Sequence, residues 1–348
     1  MHSFPTAFVT DVDEQSEPVA LAKLASSALA SAVSTGADDL FAQHVAAVDR
    51  SHGVDIDGDM GLAQVINATT YALSTALSQH VEWSTAPGGL ATGGRFTADG
   101  KDTKGGQGYP EGGSSYYGHV FWDADVWMLP AMLPLHPNIS RAMIAYRFRT
   151  MQAAEANAKK EGHNGTKWAW ESAFSGISAT GGDCQEIHLQ AGIAMAIRAF
   201  FRLSHDVAWL ENTAWPMLAN IVAFFRSRST AQPDGSIALL KVQSPNEYAS
   251  GIDNDIYTNS AYVSVLQWVA VVAKLLGKPE PGQYKALASR IVIPFNVTLG
   301  RHEEYTSAPE ALRIKQSTET MVPYANCNLN ANLFWNFLLQ REIMENCP

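Results

Sequence analysis

Three segments of the sequence place carboxylates beside aromatic residues. They are GHVFWDADVW (118–127), KWAWESA (167–173) and VQSPNEYASGIDNDIYTN (242–259). The apolar C–H faces of a pyranose pack against aromatic rings, and carboxylates and amides bind its hydroxyls. These segments therefore indicate a sugar-binding pocket, although a Trp-rich run in a helical protein is more often core packing.

Glu247 is the strongest candidate for a proton donor. Cleaving a glycosidic bond needs one carboxylic acid to protonate the leaving oxygen and a second group to activate water or attack directly. Glu247 follows Pro245 in a non-helical segment and precedes Tyr248. Contact with an aromatic ring would disfavour its ionised form and raise its pKa, which suits a proton donor. A helix N-terminal carboxylate is the commoner role of a glutamate after a proline and also fits.

No metal or cofactor site is expected. Cys184, Cys327 and Cys347 are widely spaced and form neither a metal pattern nor a disulfide framework. The run DIDGDMG (55–61) lacks the later ligands and the closing glutamate of a calcium loop. His188, taken alone, fits a buried, hydrogen-bonded histidine better than a catalyst.

Composition and charge limit the classes of function. The chain has 348 residues, is 46% hydrophobic and 17% charged, and carries a formal net charge of −10. This composition is typical of a globular protein with a sizeable core, and the negative charge disfavours nucleic-acid binding. The sequence shows no apolar run of membrane-spanning length and no signal peptide at its start. We therefore expect neither a nucleic-acid nor a membrane partner and a cytoplasmic location. The oligomeric state stays open.

The elements that must position these residues are helices. Apolar residues recur at helical spacing in five segments, and no segment shows the alternation of a strand. The predicted helices lie in residues 60–79, 137–160, 186–206, 214–228 and 260–277. Helix after helix with intervening loops is typical of an all-α solenoid or barrel. Loops 83–122, 162–186 and 242–260 would then meet at one end, since scaffolds carry functional residues on loops.

Five motifs, in order, resemble glycoside hydrolase family 65. They are GHVFWDADVW, KWAWESA, EIHLQAG, SPNEY with the later YTN, and IKQ at 314–316. The family shows G-H-x-F-W-D-x-[DE], W-E-S-A, [DE]-x-H, P-[DE]-E-[YF] with Y-T-N, and K-Q at similar spacing. The resemblance covers residues 40–320 and implies an all-α fold, the (α/α)₆ barrel. It also implies an inverting glycoside hydrolase that acts on a terminal α-linked glucose without a cofactor. The nearest family substrate is glucosyl-α-1,2-galactosyl-hydroxylysine, a protein-linked glucoside; a small-molecule glucoside is the other expected partner.

The resemblance implies a role for each motif residue. Glu247 occupies the general-acid position, and Asp123 occupies the position that binds the terminal glucose in the −1 subsite. The other substrate-binding positions are Phe121, Trp122, Trp170, Glu171, His188, Lys315 and Gln316. On this interpretation the aromatics and carboxylates form one pocket for the non-reducing glucose.

The sequence departs from the family pattern in several places. Asn246 stands where the family has an acidic residue, and STETMVPYAN (317–326) replaces A-D-V-V-L-L-x-Y-P. No general base is identified, because Glu345 lacks the W-x-E-N-like context and the glycine-rich run that follows it. The family's N-terminal β-domain has no match. We expect residues 1–39 to be a partly disordered extension and residues 40–348 to be a catalytic domain that lacks its last helices.

Two alternative functions stay open at this point. A disaccharide phosphorylase of the kojibiose, trehalose or maltose type uses phosphate in place of activated water and needs no base. A non-catalytic glucoside-binding protein would keep Asp123 and the aromatic walls but lack turnover. Hydrolysis by this chain is expected to be very slow or absent, since general acid–base assistance is worth ~10²–10⁴-fold in rate.

Overall fold

Helices dominate the structure, which is a computed structural model. It describes residues 18–52, 54–77, 79, 81–86, 119–179, 185–279, 281–309, 311–316, 318 and 321. The longer helices are α1 (Pro18–Thr35), α2 (Ala37–His52), α3 (Met60–Thr75), α4 (Pro137–Arg149), α5 (Met151–Lys160), α6 (His188–Ser204), α7 (Trp215–Arg228), α8 (Ile256–Leu275) and α9 (Pro281–Ala288). The predicted all-α class is confirmed.

Short elements connect these helices. Helical turns lie at Leu129–Met132 and Val207–Trp209, and π-helical turns lie at Ala124–Met128 and Leu210–Ala214. The strands of the described residues form two antiparallel hairpins, β1–β2 (Thr230–Ala231 with Ile237–Ala238) and β3–β4 (Phe295–Asn296 with Arg301–His302). Each strand has two residues, so these hairpins shape loops and build no sheet.

All five predicted helices are present, one of them in two parts. The predicted helix 137–160 is interrupted at Thr150, whose φ of −90° and ψ of 7° separate α4 from α5. Asp59 caps α3, because its carboxylate accepts the backbone N–H of Leu62 at 2.9 Å. Gly277 follows α8 at a φ of 61°, the left-handed conformation expected of a residue that ends a helix.

The core lies around α6 and α8. The first thirteen residues of α6 are all buried. A Cβ at Gly192 would stand only 2.9 Å from the side chain of Val126, so the glycine lets α6 approach the first π-helical turn closely. α8 is the one helix among the described residues whose length and hydropathy would suit a membrane span. In the structure 78% of that stretch is buried within the protein, as in a core helix.

The N-terminal helices precede the motif segments. The predicted boundary between residues 39 and 40 falls inside α2. Residues 1–17 lie outside the described residues, as does the stretch 87–118, which makes up most of the predicted loop 83–122.

Two of the motif loops are in contact. The backbone N–H of Gln243 donates to the carbonyl of Gln185 at 2.8 Å. The side-chain oxygen of Gln185 in turn accepts the backbone N–H of Gly251 at 2.8 Å. Gln185 therefore joins the loop before α6 to the loop before α8, and the N-terminal ends of both core helices converge on the same region.

Candidate active site

The first two motif segments form one wall. Val120 and Ser172 pair backbone to backbone, with N–O distances of 2.8 and 3.0 Å. This pairing brings Trp122 alongside Trp170, with ring centroids 5.9 Å apart. Phe121 packs against Trp170 at 5.8 Å. The structure thus brings together three aromatics that the sequence assigned to the sugar pocket.

His188 lies in the first turn of α6, inside an aromatic cage. Its ring meets Trp122 at 4.8 Å and Trp170 at 4.9 Å, both edge to face, and Tyr257 of α8 at 6.1 Å. The side chain is buried, and neither ring nitrogen has a hydrogen-bond partner among the described residues. Burial lowers the pKa of His188 to about 3; the nearby Gln243 backbone opposes this shift without forming an aligned hydrogen bond. The imidazole is therefore neutral at pH 7. The expected burial of His188 is confirmed, and the Gln243 backbone is the polar group that acts on its ring.

The two aspartates of the FWDAD run have different environments. Asp125 is buried and pairs with Arg147 of α4, whose Nη2 and Nε lie 2.6 and 3.3 Å from its carboxylate oxygens. Asp123 is partly buried, and its pKa is raised to about 6 by burial, then by the charge of Asp125 and more weakly by that of Glu247. Asp125 therefore anchors the wall, whereas Asp123 can gain a proton near pH 6.

Glu171 belongs to the same wall. Its Oε2 lies 3.2 Å from Nδ1 of His119, and both side chains are partly exposed. Glu171 was predicted to bind substrate, and it adjoins the aromatic cage because it follows Trp170 directly in sequence.

Glu247 forms a cluster with Lys315 and Gln316, which lie 68 and 69 positions further along the chain. Nζ of Lys315 lies 2.5 Å from one carboxylate oxygen, and Nε2 of Gln316 donates to the other at 2.7 Å. The backbone N–H of Glu247 donates in return to Oε1 of Gln316 at 3.3 Å. Glu247 is 52% exposed and Lys315 46% exposed, so water reaches this ion pair. The general-acid candidate and the K-Q pair are thus in direct contact.

The pKa of Glu247 is shifted in the opposite direction from the sequence-based prediction. Burial raises the pKa of Glu247, but hydrogen bonds from Lys315 and Gln316 and the charge of Lys315 outweigh it, so the net shift is downward. Tyr248, the ring expected to raise it, is half exposed and stacks with Arg313 at 4.1 Å. The prediction was wrong because the next residue in sequence does not cover the carboxylate. Glu247 lies in a turn and not at a helix start.

Asn246 links the Glu247 turn to the K-Q segment. Its side chain is fully buried, and its amide nitrogen donates to Oε2 of Glu304 and to the carbonyl of Arg313, both at 3.1 Å. Its Oδ1 accepts the backbone N–H of Lys315 at 3.0 Å. The residue that departs from the family pattern is therefore part of the internal framework of the site.

Sequence reasoning missed three residues of this arrangement. Arg147 carried a usable signal, because an acidic residue as deep in an apolar run as Asp125 needs a basic partner. Arg313 lies two positions before Lys315, but nothing in the sequence indicates its stacking with Tyr248. Glu304 has no sequence signal, since its burial depends on contacts with a distant turn.

Some predictions concern parts of the chain without a described structure. Cys184, Cys327, Cys347 and Glu345 all lie there. Within the described ranges, no group of three or more His, Cys, Asp or Glu residues could hold a metal ion. None of the described carboxylates is assigned as a general base.

The two parts of the site act on one another. The charge of Glu247 contributes to the raised pKa of Asp123, which places both carboxylates within one electrostatic environment. The combined arrangement offers aromatic faces, a neutral imidazole, a cation and two carboxylates whose pKa values shift in opposite directions. Such a set can bind a polyhydroxylated ring and move protons beside it.

Comparisons with known proteins agree with this chemistry. The model of the glycosyl hydrolase family 65 central catalytic domain matches residues 100–322. A protein-glucosylgalactosylhydroxylysine glucosidase of Mus musculus is 31% identical over 282 residues, which is 78% of this chain and 38% of the mouse protein. A kojibiose hydrolase of Flavobacterium johnsoniae is 30% identical over 277 residues, covering 78% of this chain and 37% of the bacterial one.

A solved structure shares the fold. It is named "Putative kojibiose phosphorylase from human microbiome", and it superposes with a TM-score of 0.66 at 19% identity, over 83% of this chain and 40% of the other. The chain thus spans about two fifths of the length of the relatives it matches. The match of the central catalytic domain covers well over half of the chain and includes every motif segment described above. The chain belongs to glycoside hydrolase family 65.

Proposed function

We propose that this chain carries the glucose-binding part of an inverting α-glucosidase site for a terminal α-linked glucose. We further propose that residues 40–348 belong to an (α/α)₆ barrel whose loops surround this site. The names of the mouse and bacterial relatives support glucosyl-α-1,2-galactosyl-hydroxylysine and kojibiose as the nearest substrates. The observation that carries the proposal is the aromatic cage around the buried imidazole of His188. Asp123 directly follows the cage residue Trp122 in sequence, and its pKa is raised in part by the charge of Glu247.

The aromatic cage suits one face of a sugar ring. Trp170 is partly exposed and can offer a ring face to the C–H groups of glucose, while the buried Trp122 and Phe121 pack against it. A neutral imidazole has one donor and one acceptor nitrogen, and both are unused in His188, so a sugar hydroxyl would satisfy a buried polar group. Asp123 accepts hydrogen bonds from further hydroxyls.

Glu247 is assigned as the general acid, and substrate is needed to give it its proton. In the structure, hydrogen bonds from Lys315 and Gln316 and the charge of Lys315 lower the pKa of Glu247 and favour its ionised form. If these side chains turn to the hydroxyls of the bound glucose, Glu247 loses the interactions that lower its pKa. Binding and protonation would then be coupled.

The inverting reaction also needs a base. Water must be activated by a second carboxylate about 6.5–9.5 Å from the acid. We assign none of the described carboxylates to this role. We therefore predict very slow hydrolysis by the polypeptide of these 348 residues, and rescue of turnover with α-glucosyl fluoride plus azide. Fluoride needs little acid assistance as a leaving group, and azide attacks without a base.

Calorimetry with kojibiose tests the binding part of the proposal. Asp123→Ala should weaken binding at least tenfold, because each charge-assisted hydrogen bond contributes on the order of 1.5–3 kcal/mol. Asp57→Ala removes an exposed aspartate outside the site and should leave the affinity unchanged. Equal affinity of the Asp123 variant and the native chain would remove Asp123 from the subsite.

Turnover assays separate the remaining functions. Release of glucose 1-phosphate that depends on phosphate would identify a phosphorylase. Kojibiose binding without rescue by azide would identify a glucoside-binding protein. Robust hydrolysis of kojibiose without azide would contradict the predicted lack of a base. Glu345 and Glu319, the glutamate of the STETMVPYAN run (317–326), would then be the first residues to mutate.

A further inference from the structure

We propose that Asn246 is a positioning residue whose neutral amide, held by the buried carboxylate of Glu304, keeps Lys315 against Glu247. The role concerns how the Glu247 turn and the Lys315 segment are held together. It rests on the proposed function only where glucoside binding is used as a readout.

The hydrogen bonds of Asn246 need an amide. Its Nδ2 donates in two directions, to Oε2 of Glu304 and to the carbonyl of Arg313, both at 3.1 Å. Its Oδ1 accepts the backbone N–H of Lys315 at 3.0 Å and that of Tyr248 at 3.4 Å. An amide offers two donors and an acceptor, whereas an ionised carboxylate offers acceptors alone. An aspartate of the same shape would therefore turn an oxygen towards the Glu304 carboxylate and the Arg313 carbonyl.

The surroundings already contain buried negative charge. Glu304 is 4% exposed, and its charge adds to the effect of burial in raising the pKa of Asp255 to about 6. Tyr305, next in sequence to Glu304, has a pKa raised by burial and by the same charge. The guanidinium of Arg313 is stacked on Tyr248, so it is Arg313's backbone carbonyl that meets Asn246. A third carboxylate at this point would face acidic neighbours, and the amide is the neutral alternative.

The position of Lys315 depends on this link. Asn246 holds the backbone of Lys315, and the side chain of Lys315 reaches Glu247, the residue that follows Asn246 in sequence. One buried side chain therefore sets the spacing between the turn that carries the acid and the segment that carries its cation. If the amide is lost, the hydrogen bonds of Glu247 to Lys315 and Gln316 lose their register.

The test exchanges the charges of the two partners. Four variants of the full chain are compared with the native protein: Asn246→Asp, Glu304→Gln, the two together, and Asn212→Asp as a control with the same change on an exposed residue. The readouts are the carboxyl pKa of Glu247 from carbon NMR titration, the Tm, and the affinity for kojibiose.

We expect Asn246→Asp to raise the pKa of Glu247 towards its ordinary value, lower the Tm and weaken kojibiose binding about tenfold, the effect of losing one or two hydrogen bonds. The double variant should recover part of all three, because the amide at 304 can donate to the new carboxylate, whereas the oxygen that faces the Arg313 carbonyl stays without a donor. Glu304→Gln and Asn212→Asp should leave the pKa of Glu247 low. The double variant separates positioning from the direct repulsion of the added charge, since the new carboxylate remains beside Glu247 while its link to residue 304 is restored.

Two results would overturn the proposal. One is a folded Asn246→Asp variant in which the pKa of Glu247 stays low. The other is a double variant that behaves as badly as Asn246→Asp or fails to fold while Glu304→Gln folds normally. If Asn246→Asp alone does not fold, a folded double variant with a low Glu247 pKa supports the proposal. Absence of kojibiose binding in the native chain would refute the proposed function and leave the pKa comparison valid.

Discussion

The aromatic cage and the Glu247 cluster are two parts of one site with opposite construction. The cage is largely buried, its residues lie in the first turns of α6 and α8, just before the π-helical turn and on the loop of Trp170, and its side chains meet through rings. The Glu247 cluster is half exposed, lies on loops, and consists of hydrogen bonds and an ion pair. Burial shifts the pKa values of His188 and of the adjoining Asp123 so that their neutral forms are favoured. Hydrogen bonds and the charge of Lys315 lower the pKa of Glu247 and keep it ionised. The cage is thus held by buried packing, whereas the cluster is held by hydrogen bonds and an exposed ion pair.

The ion pairs of the two parts differ most in their expected effect on stability. Arg147→Met leaves Asp125 as an uncompensated buried charge, which costs about 3–5 kcal/mol. Lys315→Met breaks an exposed pair of similar length, which contributes about 0–1 kcal/mol. Thermal or denaturant unfolding of both variants measures the difference. Equal losses would show that the cluster is as much a part of the folded framework as the wall.

The pH dependence of stability provides a second comparison. The pKa of Asp123 is raised to about 6 in the folded chain, so folding binds a proton between pH 4 and 6 and stability falls as the pH rises through this window. Asp123→Asn removes that loss, and we expect a gain on the order of 1 kcal/mol at pH 7 that disappears near pH 4. Denaturation at both pH values measures it. A gain that is the same at pH 4 and pH 7 would contradict the raised pKa.

Glucoside binding should cause proton uptake at the Glu247 cluster. The pKa of Glu247 is lowered in the free chain and rises if Lys315 and Gln316 turn to the sugar, so less than one proton is taken up per ligand at a pH between the two values. Calorimetry of kojibiose binding in two buffers with different ionisation enthalpies measures the uptake. Lys315→Met should reduce it, because the free-state pKa is then no longer held down. Identical heats in both buffers for the native chain would rule out the coupling.

The smallest effect is expected at the exposed edge of the cluster. Arg313→Ala removes the stacking on Tyr248 and costs about 0.5–1 kcal/mol, as is typical of exposed cation–π pairs. Tyr248→Phe keeps the ring and removes only a hydroxyl at 3.4 Å from the guanidinium, so it should fall within about 0.5 kcal/mol of the native chain. Unfolding measurements on both variants test the order. A larger loss for Tyr248→Phe would show that the hydroxyl has a partner beyond Arg313.

The spacing of apolar residues predicted the helices, and the types of the motif residues predicted which of them would form the site. Helical spacing of apolar residues is a local property, and the five predicted helices are present, although Thr150 divides one of them. The family resemblance placed Trp122 and Trp170 in the same pocket, and their rings lie 5.9 Å apart, while their binding of a sugar stays a prediction. The roles of Asp123 and Glu247 in catalysis stay predictions.

What the sequence by itself determined is the all-α class, the family and the set of polar and aromatic residues that could hold a sugar. Only the tertiary structure decided how those residues act on one another. The pairing of Glu247 with Lys315 joins positions 68 residues apart, and it reverses the pKa shift expected from the neighbouring tyrosine. Asn246 appeared as a departure from a pattern until its contact with Glu304 showed why an amide fits there. Residue types and helical spacing are local properties, whereas burial and charge–charge distances depend on segments that only the folded chain brings together.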